Sequence, residues 1–503
     1  MNLMMLLQMA AEGFGDRVAF KNDDDQLTYA ELYRSAGAAA AQLRECGAQH
    51  LAILDVSSLA LPIGVFAAAW AGRPFVPLNY RLTGVELESL VDQIAPSRLV
   101  AESDRVAALS SLAGTEVLAR ETFMAAARDA RATTLADEWA MDPDEIAILL
   151  FTSGTTGPPK AAVIRHKHLV SYILGSVEFM SADESDAALV CVPPYHIAGM
   201  AAIASSVYSG RRIVQLANFS AERWLELARS EKITNAFVVP TMLSRIIEAI
   251  EAEGRSDAGL PCLRSLSYGG GKMHQNVIEK ALRFFPEVDF ANAYGLTETS
   301  STIAILGPAD HRAALSSDDP AVRRRIVSVG QPLPSVEVEI RDEDGHVVGP
   351  NERGEIFVRG EQVSGEYLGK GSRLSAEGWF PTRDGGSMDA DGYLYLEGRI
   401  DDIIVRGGEN MSPGEIEDVL IEHAAVADAA VVGMPDEQWG EKVCAVVVCE
   451  RGHQTSVAEL QQWVKERLRS SRTPETIEFW DELPYNETGK LLRRKVRAAL
   501  MGG

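Results

Sequence analysis

Apolar positions along the first part of the chain recur with two spacings, one helical and one typical of buried strands. In LTYAELYRSAGAAAAQL the spacing is helical, and Thr28 and Glu31 are placed as in a capping box, which predicts where the helix begins. The short run LAILD predicts a buried strand, SLALPIGVFAAAWAG a second helix and PFVPL a further strand. This alternation continues to about residue 310 and predicts an α/β fold, in which helices flank mostly parallel sheets.

The pattern changes near residue 328 and again near Gly398. Short alternating stretches divided by turn residues, as in SVEVEIRDEDGHVVGPNERGEIFVRG, predict a small β-rich unit. Further on, Ser412 and Glu415 have capping-box spacing, and the helix they predict is followed by two strands, a helix and a last strand. We therefore expect a large N-terminal domain over residues 1–398, with a β-rich subdomain over about 328–398, and a small α+β C-terminal domain over residues 399–503.

Composition and charge exclude several classes of protein. Of the 503 residues, 46% are hydrophobic and 24% are charged, which is typical of a globular protein and not of a disordered or collagen-like chain. The formal net charge of −24 argues against nucleic-acid binding, because phosphate backbones need clustered Lys and Arg. The five cysteines never occur as C-x-x-C, which favours a reducing cytoplasm. No apolar run approaches the roughly 18 residues of a transmembrane helix.

The stretch FTSGTTGPPK follows a strand-like run and has the composition of a phosphate-binding loop. Its glycines let backbone N–H groups approach an anion, its hydroxyl groups can donate hydrogen bonds, and Lys160 supplies positive charge. The spacing differs from G-x-x-x-x-G-K-[ST], so this is not the common nucleotide loop. We expect a triphosphate to be bound here by Thr152, Ser153, Gly154, Thr155, Thr156, Gly157 and Lys160.

Four further motifs follow the loop in order: ANAYGLTE (291–298), FPTRDGG (380–386), GRIDDIIVRGGENMSPGEIE (398–417) and YNETGKLLRR (485–494). Together with the loop they resemble the adenylate-forming superfamily of acyl-CoA synthetases, nonribosomal-peptide adenylation domains and luciferases. GGENMSPGEIE and VVGMPDEQWGEKVCAVVV look most like acyl-CoA synthetases. The resemblance covers almost the whole chain and implies ATP, Mg²⁺ and coenzyme A as cofactor and co-substrates. It also implies that the loop holds the β- and γ-phosphates of ATP.

Roles for single residues at the nucleotide follow from the same resemblance. Tyr294 would lie against adenine and Thr297 beside the α-phosphate. Glu298, together with Thr156, would ligate Mg²⁺, a hard cation that prefers oxygen ligands. The other nucleotide contacts that the resemblance implies are Gly269, Gly270, Asn292, Gly295 and Arg399.

The ribose motif departs from the family pattern. Asp384 would bind both ribose hydroxyl groups, a task that suits the two oxygens of a carboxylate. The preceding residue is Arg383, where the family usually has glycine. A bulky cation thus replaces a residue that adopts unusual backbone angles, so we expect ribose binding with an altered turn.

Residues in the last hundred positions would serve the two steps of the reaction. Lys490 would contact the carboxylate and the α-phosphate during adenylation, and its charge would stabilise the transition state. Asp401 falls where the family has its domain hinge, which makes the C-terminal domain mobile. Gly407 and Gly408 resemble the glycine-rich strand that approaches the thiol of coenzyme A.

The pocket for the acid is less well defined by the sequence. His196 matches an aromatic or histidine position at the floor of the family's acyl pocket, where it would take part in catalysis, and a structural histidine is an equal alternative. The expected wall is apolar and contains Tyr195, His196, Ile197, Val238, Val239, Ser267 and Tyr268. It offers no cation for a second carboxylate, which favours an apolar monocarboxylic acid.

The sequence therefore predicts an ATP-dependent carboxylic acid–CoA ligase that forms an acyl adenylate, then an acyl-CoA, with release of pyrophosphate and AMP. A fatty acid is one expected substrate, and alkyl and aryl acids both stay open. One alternative is a stand-alone adenylation enzyme that loads an acyl carrier protein. A second alternative, from a different class, is an inactive sensor of nucleotide or acyl adenylate.

Overall fold

The computed structural model describes residues 1–129, 138–152, 159–486 and 489–502. The helices within these ranges are α1 Met4–Phe14, α2 Tyr29–Glu45, α3 Ala60–Ala71, α4 Gly84–Asp92, α5 Ser103–Leu109, α6 Arg120–Ala127, α7 His166–Ser176, α8 Ile197–Ser209, α9 Ala221–Ser230, α10 Pro240–Ala252, α11 Gln275–Phe284, α12 Pro308–Ser316, α13 Pro320–Arg324, α14 Pro413–Ile421, α15 Val457–Arg467 and α16 Arg493–Leu500. The strands are β1 Val18–Asn22, β2 Asp25–Thr28, β3 His50–Leu54, β4 Phe75–Pro77, β5 Ser97–Ala101, β6 Thr115–Ala119, β7 Ile146–Thr152, β8 Lys160–Arg165, β9 Ala187–Val190, β10 Arg212–Gln215, β11 Asn235–Val238, β12 Ser265–Gly269, β13 Asp289–Leu296, β14 Ser301–Leu306, β15 Gln331–Pro332, β16 Glu337–Arg341, β17 Arg353–Arg359, β18 Glu366–Tyr367, β19 Gly371–Ser372, β20 Phe380–Met388, β21 Leu394–Arg399, β22 Ile404–Arg406, β23 Glu409–Met411, β24 Val426–Asp436, β25 Gly440–Cys449 and β26 Thr476–Phe479. The strands assemble into four sheets.

Two large sheets form most of the N-terminal part, and each has a parallel centre. Antiparallel pairs lie at both edges of the nine-stranded sheet and at one edge of the eight-stranded sheet. One sheet has nine strands in the order β15-β14-β13-β12-β11-β9-β10-β1-β2, and its strands from β13 to β1 are parallel. The other has eight strands in the order β19-β18-β8-β7-β4-β3-β5-β6, and its strands from β7 to β6 are parallel. The predicted α/β class with mostly parallel sheets is confirmed.

One apolar core joins the two large sheets. It contains Phe20 and Ile213 from the nine-stranded sheet and Ile53 and Phe75 from the eight-stranded sheet, together with side chains of α1, α2, α3 and α8. All twelve residues of α3 are buried, so this helix is apolar on every side, as its sequence ALPIGVFAAAWA requires. The core thus fixes the two sheets, and the strand ends that they carry, as one framework.

The two predicted capping boxes have different outcomes. Thr28 begins α2 as expected, because its hydroxyl accepts from the Glu31 N–H (3.2 Å) and the Glu31 carboxylate accepts from the Thr28 N–H (2.8 Å). Ser412 is the N-cap of α14, but it makes no capping bond, and its hydroxyl donates to the carbonyl of Glu397 (2.5 Å). The capping-box prediction at Ser412 is wrong because a tertiary partner competes for the hydroxyl.

The β-rich unit is a four-stranded antiparallel sheet in the order β16-β17-β20-β21. Between β17 and β20 the chain leaves this sheet, and β18 pairs antiparallel with β8 at the edge of the eight-stranded sheet. There Glu366 makes a bidentate ion pair with Arg165, at 2.9 and 2.7 Å. The β-rich unit is therefore tied to the hairpin of β7 and β8.

The C-terminal unit, which we define as β22–β26 and α14–α16, contains the fourth sheet. Its order is β23-β22-β25-β24, with β26 beside β25. The chain enters it from β21 through a 3-10 turn at Ile400–Asp402. Lys272 links the unit to the N-terminal part, because its ammonium lies 2.6 Å from the Asp418 carboxylate and donates to the Gly414 carbonyl (3.1 Å).

Two further observations concern the whole described chain. No helix within the described ranges is long and apolar enough to cross a bilayer. All five cysteines are free thiols, of which Cys191 and Cys444 are buried and Cys46 is exposed.

Candidate active site

The candidate site lies at the carboxyl ends of parallel strands. Strands β11, β12 and β13 are parallel neighbours, so Val239, Gly269 and Leu296 lie at one edge of the nine-stranded sheet. In the eight-stranded sheet, β7 ends at Thr152, where the phosphate-loop sequence begins. Open α/β sheets bind their ligands at such edges, so the fold places the predicted motifs where a ligand can reach them.

Glu298 is held in place by a turn and by a neighbouring tyrosine. It lies in a 3-10 turn over Thr297–Thr299, after which Ser300 and Ser301 have φ values of 55° and 110°. Its backbone carbonyl accepts from the N–H of Ser364 (2.8 Å), and its side-chain Oε1 accepts a short hydrogen bond from the Tyr367 hydroxyl. Burial and the Glu298 charge both raise the pKa of Tyr367, so this hydroxyl stays a hydrogen-bond donor.

A second cluster contains Tyr294, Asp384 and Arg399. The Tyr294 hydroxyl donates to Asp384 Oδ2 (2.7 Å), and Arg399 Nη1 lies 3.2 Å from Asp384 Oδ1. Asp384 and Arg399 are register partners across β20 and β21, and Arg399 also donates to the carbonyl of Thr382 (2.6 Å). Burial, with the adjacent Asp384 charge, raises the pKa of Tyr294. The structure thus brings the predicted adenine and ribose residues into direct contact.

Arg383 adopts the backbone conformation that a glycine would have at this position. Its φ is 63°, in the left-handed region, and β20 continues through it to Asp384. The turn keeps its hydrogen bonds, because the Thr382 hydroxyl accepts from the Asp384 N–H (3.1 Å) and donates to the Ile356 carbonyl (2.8 Å). The guanidinium points to the 3-10 turn at Ile400–Asp402, where Nη2 lies 2.6 Å from Asp401 Oδ1.

The predicted nucleotide glycines lie where the backbone is crowded. A Cβ at Gly269 would meet the carbonyl oxygen of Ala293 at 2.2 Å, and one at Gly295 would meet that of Ser301 at 1.8 Å. Gly270 has a φ of 82°, which L-residues rarely adopt. Strand packing and backbone angle therefore explain these glycines. The predicted nucleotide residue Asn292 is also anchored, because its amide donates to the carbonyl of Ser328 (3.2 Å).

Lys490 comes from the C-terminal unit and interacts with the charged groups of the large part. Its side chain is solvent accessible, yet the surrounding protein lowers the pKa of the ammonium by desolvation, and Arg399 adds to this effect. The charges of Asp384, Asp402 and Glu298 oppose the shift. Lys490 thus faces the same carboxylates that the resemblance assigns to ribose and Mg²⁺.

The neighbouring residue Gly489 fixes the position of Lys490 against the N-terminal part. Gly489 has a φ of 70°, and a Cβ at this residue would lie 2.8 Å from the hydroxyl oxygen of Thr241. The carbonyl of Gly489 in turn lies 3.2 Å from the Cβ position of Gly271. The segment that carries Lys490 is therefore packed closely on the start of α10.

The phosphate-loop residues Ser153, Gly154, Thr155, Thr156 and Gly157 lie outside the described residues. The residues that flank them form a pair at the end of the β7–β8 hairpin, where the Thr152 hydroxyl donates to the Lys160 carbonyl (3.2 Å). Leu368 donates to the carbonyl of Ala161 (2.9 Å), so the strand that carries Tyr367 lies beside this hairpin. Lys160 and Glu298 are thereby brought to the same region.

The expected acid pocket is only partly supported by the structure. Tyr195 packs its ring on His196 (4.7 Å between centroids) and on Tyr80 (5.7 Å), and burial lowers the pKa of His196 to about 4. Val239 is almost fully buried beside Gly270. Tyr268 is placed in the core instead of a pocket wall, because it is fully buried and its hydroxyl pairs with His311 (2.9 Å).

Gly407 and Gly408 form the tip of a hairpin between β22 and β23, with φ values of 59° and 81°. Both residues of such a tight turn need positive φ, which explains the glycine pair. The Gly407 N–H donates to the carbonyl of Trp439 (2.7 Å), and the Arg406 guanidinium lies over the indole ring of Trp439 (5.0 Å). The glycines predicted to approach coenzyme A therefore lie at the tip of a β-hairpin of the C-terminal unit, beside Trp439.

Comparison with known proteins identifies the family. The sequence profile of the AMP-binding enzyme family matches residues 7–368, and that of the AMP-binding enzyme C-terminal domain matches residues 415–490. The chain belongs to the AMP-binding enzyme family. Membership confirms the resemblance to adenylate-forming enzymes, and it makes the chain an AMP-forming acid–thiol ligase.

Known relatives align over nearly the full chain. A fatty acid–[acyl-carrier-protein] ligase, ScoC of Streptomyces coeruleorubidus, is 33% identical over 490 residues, which cover 95% of this chain and 92% of the relative. A feruloyl-CoA synthase of an Amycolatopsis species is 31% identical over 487 residues, 95% of each protein. The o-succinylbenzoate CoA synthetase MenE of Bacillus subtilis, solved with its acyl adenylate, superimposes with a TM-score of 0.84 at 29% identity, over 98% of this chain and 97% of MenE.

The family's nucleotide and metal suit the residues that the structure brings together. MenE has also been solved with ATP and a magnesium ion, at a TM-score of 0.82 and 29% identity over 97% of this chain and 98% of MenE. In this chain the Glu298 carboxylate, oriented by Tyr367, is a hard oxygen donor at a strand end, which is the donor type that Mg²⁺ prefers. ATP and Mg²⁺ are thus the cofactors of the family, and the donor set of this member fits them.

Sequence reasoning missed three contributors to the site. Tyr367 lies 69 residues from Glu298, and the Asp402 carboxyl, whose pKa is raised mainly by burial, interacts with Lys490 and Arg493. Glu355 accepts from the N–H of Arg383 (3.0 Å). The Asp401–Asp402 pair was visible in the sequence and could have suggested a second functional acid, whereas the partners of Tyr367 and Glu355 depend on strand pairing.

Proposed function

We propose that this chain is a carboxylic acid–CoA ligase that works in two half-reactions with two arrangements of its domains. The supporting observation is the position of Lys490 on a segment of the C-terminal unit. Gly489 of this segment packs on Thr241 of the large part, and the Lys490 charge interacts with those of Asp384 and Arg399. We place the domain boundary at residue 398, since β21 ends the β-rich sheet and Ile400–Asp402 leads into the C-terminal unit. The present arrangement then corresponds to adenylation.

In the first half-reaction, a carboxylate oxygen of the acid attacks the α-phosphorus of ATP, and the bond to pyrophosphate breaks. Lys490 would stabilise the negative charge that builds up on the phosphoryl oxygens, because a positioned cation acts strongly in a partly dry site. Asp384 and Tyr294 would hold the ribose and the adenine, and Glu298 would hold Mg²⁺. The metal ion would neutralise part of the negative charge on the phosphates.

In the second half-reaction, the thiol of coenzyme A attacks the acyl carbon of the adenylate, and AMP leaves. No residue of the enzyme forms a covalent bond with the acyl group. The C-terminal unit would rotate about Asp401, so that Lys490 moves away and the hairpin with Gly407 and Gly408 approaches the site. The short 3-10 turn at Ile400–Asp402 suits this role, because only a few backbone angles have to change.

The acid is proposed to be an apolar monocarboxylic acid. Tyr80, Tyr195 and His196 form an aromatic cluster, and His196 is uncharged near neutral pH because burial lowers its pKa to about 4. A neutral aromatic wall favours an apolar acyl group over one with a second carboxylate. The names of the relatives include fatty, feruloyl and o-succinylbenzoate substrates, so aryl acids stand beside fatty acids as candidates.

The acceptor has one alternative with a specific observation in its favour. ScoC, at 33% identity, is named as a ligase that loads an acyl-carrier protein. A carrier protein presents the same phosphopantetheine thiol as coenzyme A, so the chemistry of the second step would be unchanged. The proposed location is the cytoplasm, where five free thiols remain reduced.

The test is a panel of straight-chain, branched and aryl acids assayed for acid-dependent ATP–pyrophosphate exchange. Each active acid is then supplied with coenzyme A or with a phosphopantetheinylated carrier protein, and thioester formation is measured. We expect exchange with at least one apolar monocarboxylic acid and thioester only when a thiol acceptor is added. If ATP binds but no acid supports exchange, the ligase proposal fails and the sensor alternative is favoured. If only the carrier protein is acylated, the thiol acceptor is a carrier protein and not coenzyme A.

A further inference from the structure

Arg383 occupies a backbone conformation that its own side chain disfavours. Its φ of 63° is left-handed, a region that glycine adopts freely and arginine rarely. Residues kept in such conformations are held by their surroundings, and they concentrate at functional positions. The contacts of this arginine therefore indicate what the conformation serves.

The side chain of Arg383 connects the β-rich sheet to the hinge. On the sheet side, Glu355 of β17 accepts from the Arg383 N–H (3.0 Å), and its Oε2 lies 3.9 Å from Nη1. On the hinge side, Nη2 lies 2.6 Å from Asp401 Oδ1. A glycine at position 383 could not make the second contact.

The hinge segment also faces the site through its other acid. Asp402 lies 3.5 Å from Nε of Arg493 and interacts with Lys490. The turn at Ile400–Asp402 is therefore held on one side by Arg383 and on the other by residues of the C-terminal unit. In the proposed mechanism, rotation of the C-terminal unit changes the backbone angles of Asp401, and the ion pair between Arg383 and Asp401 opposes that change.

We propose that Arg383 is a positioning residue that holds the hinge in the adenylating arrangement through its ion pair with Asp401. This inference rests on the proposed two-arrangement mechanism. Loss of the guanidinium weakens one arrangement without touching ATP, the acid or Lys490. The ion pair is half exposed, so its strength depends on salt.

The expected effect is asymmetric between the two half-reactions. An exposed ion pair shifts an equilibrium by up to about fivefold. If the adenylating arrangement dominates, a fivefold weakening hardly changes its population, whereas the rare second arrangement becomes up to about fivefold more populated. Adenylation should therefore change by less than about twofold, and thioester formation should accelerate by about two- to fivefold.

The experiment compares Arg383→Gly, which keeps the backbone conformation and removes the charge, with Arg383→Lys, which keeps a charge. Arg359→Gln is the matched control, because it removes a surface ion pair with Glu337 (2.6 Å) from the same sheet, away from the hinge. ATP–pyrophosphate exchange reports the first step. Single-turnover thioester formation from pre-made acyl adenylate and coenzyme A reports the second. Both are measured at low and at high NaCl.

We expect thioester formation at low salt to be faster in Arg383→Gly than in the wild type, and to be unchanged in Arg359→Gln. High salt should accelerate this step in the wild type and have little further effect in Arg383→Gly. Arg383→Lys should lie between the wild type and Arg383→Gly. Unchanged second-step rates in Arg383→Gly, or the same response in Arg359→Gln, overturn the proposal. A raised KM for ATP with no gain in the second step would show that Arg383 is a nucleotide contact instead.

A measurement without turnover separates this inference from the proposed function. Single-molecule fluorescence energy transfer between one dye on the N-terminal part and one on the C-terminal unit reports the fraction of the second arrangement, even when that fraction is small. Removal of Arg383 should raise this fraction by up to about fivefold, in the direction that high salt shifts the wild type. If no acid supports ATP–pyrophosphate exchange, the proposed function fails, while energy transfer still decides whether Arg383 holds the hinge. An unchanged fraction would overturn the inference.

Discussion

Gly489→Ala is a substitution that should separate the two half-reactions, because its added methyl group would collide with the N-terminal part in only one arrangement. In the present arrangement the new Cβ lies 2.8 Å from Oγ1 and 3.2 Å from Cγ2 of Thr241, whereas ordinary van der Waals contact begins at 3.4 Å. Both γ atoms of Thr241 face the new carbon, so Thr241 or the segment of Gly489 has to shift to relieve the overlap. The second arrangement that we propose would move Gly489 away from Thr241 and remove the overlap.

The size of the effect follows from two separate costs. The φ of 70° at residue 489 disfavours alanine by roughly 1 kcal/mol, but this cost applies in both arrangements and does not shift them relative to one another. The overlap with Thr241 is a case of overpacking, which costs about 1–2 kcal/mol at this degree of contact. By the same population argument as for Arg383, the second arrangement should become about five- to thirtyfold more populated. Thioester formation from pre-made adenylate should therefore accelerate by up to that factor, and adenylation should fall far less.

Two further variants make the assay decisive. Thr241→Ala removes both γ atoms, so the double variant Gly489→Ala/Thr241→Ala should return thioester formation to near the wild-type rate. Gly345→Ala is the matched control for backbone strain, since Gly345 has a φ of 84° and a methyl group added there would have no neighbouring atom within 4 Å. ATP–pyrophosphate exchange and single-turnover thioester formation are measured for all four proteins. A thioester step in Gly489→Ala that is no faster than in the wild type, or a double variant that keeps the acceleration, would refute the reasoning.

Three other changes test the site and the fold. Lys490→Ala should lower adenylation at least about a hundredfold, equivalent to roughly 2.7 kcal/mol, and spare the thioester step; an equal fall of both steps would contradict a role in adenylation alone. Glu298→Ala should abolish exchange at ordinary Mg²⁺, whereas Tyr367→Phe, which keeps the carboxylate, should only raise the Mg²⁺ requirement; unchanged Mg²⁺ dependence in both would remove Glu298 from the site. Burial lowers the pKa of both His166 and His168 to about 4. As the pH falls, the unfolded chain therefore binds protons at these histidines before the folded protein does. Their contribution to the free energy of unfolding is fully present above pH 6.5 and is lost as the pH falls towards 4. At pH 4.5 each histidine should lower the free energy of unfolding, measured by urea denaturation, by about 2–3 kcal/mol. His166→Gln should make this free energy depend less on pH than in the wild type, and an equal pH dependence of the two proteins would contradict the prediction.

The sequence predicted those features that depend on neighbouring residues. The Thr28 capping box needs only a partner three residues away, and the apolar runs that became β3, α3 and β4 reflect burial on all sides. The order of motifs was enough to indicate the family, because each motif is local. Fold class and nucleotide chemistry could therefore be predicted well before the residues were placed in space.

Features that depend on distant partners could not be predicted in this way. The Ser412 hydroxyl bonds Glu397 across the boundary between two sheets, so local spacing gave the wrong cap. Tyr268 alternates with Ser267 along β12, and only the packing around His311 shows that its side chain faces the core. Whether Arg383 could adopt a left-handed angle was equally beyond a spacing rule, since Glu355 and Asp401 hold it there.

The excursion of the chain into β18 and β19 has a consequence for recombination between relatives. A block covering residues 328–398 supplies strands to three different sheets, so it is not a self-contained unit. A crossover inside 360–373 would leave β8 paired with a foreign strand and would break the Arg165–Glu366 ion pair. A crossover at 400–403 interrupts no sheet, since β21 ends at Arg399 and β22 begins at Ile404. Chimeras that exchange the C-terminal unit should therefore fold far more often than chimeras that exchange the β-rich unit.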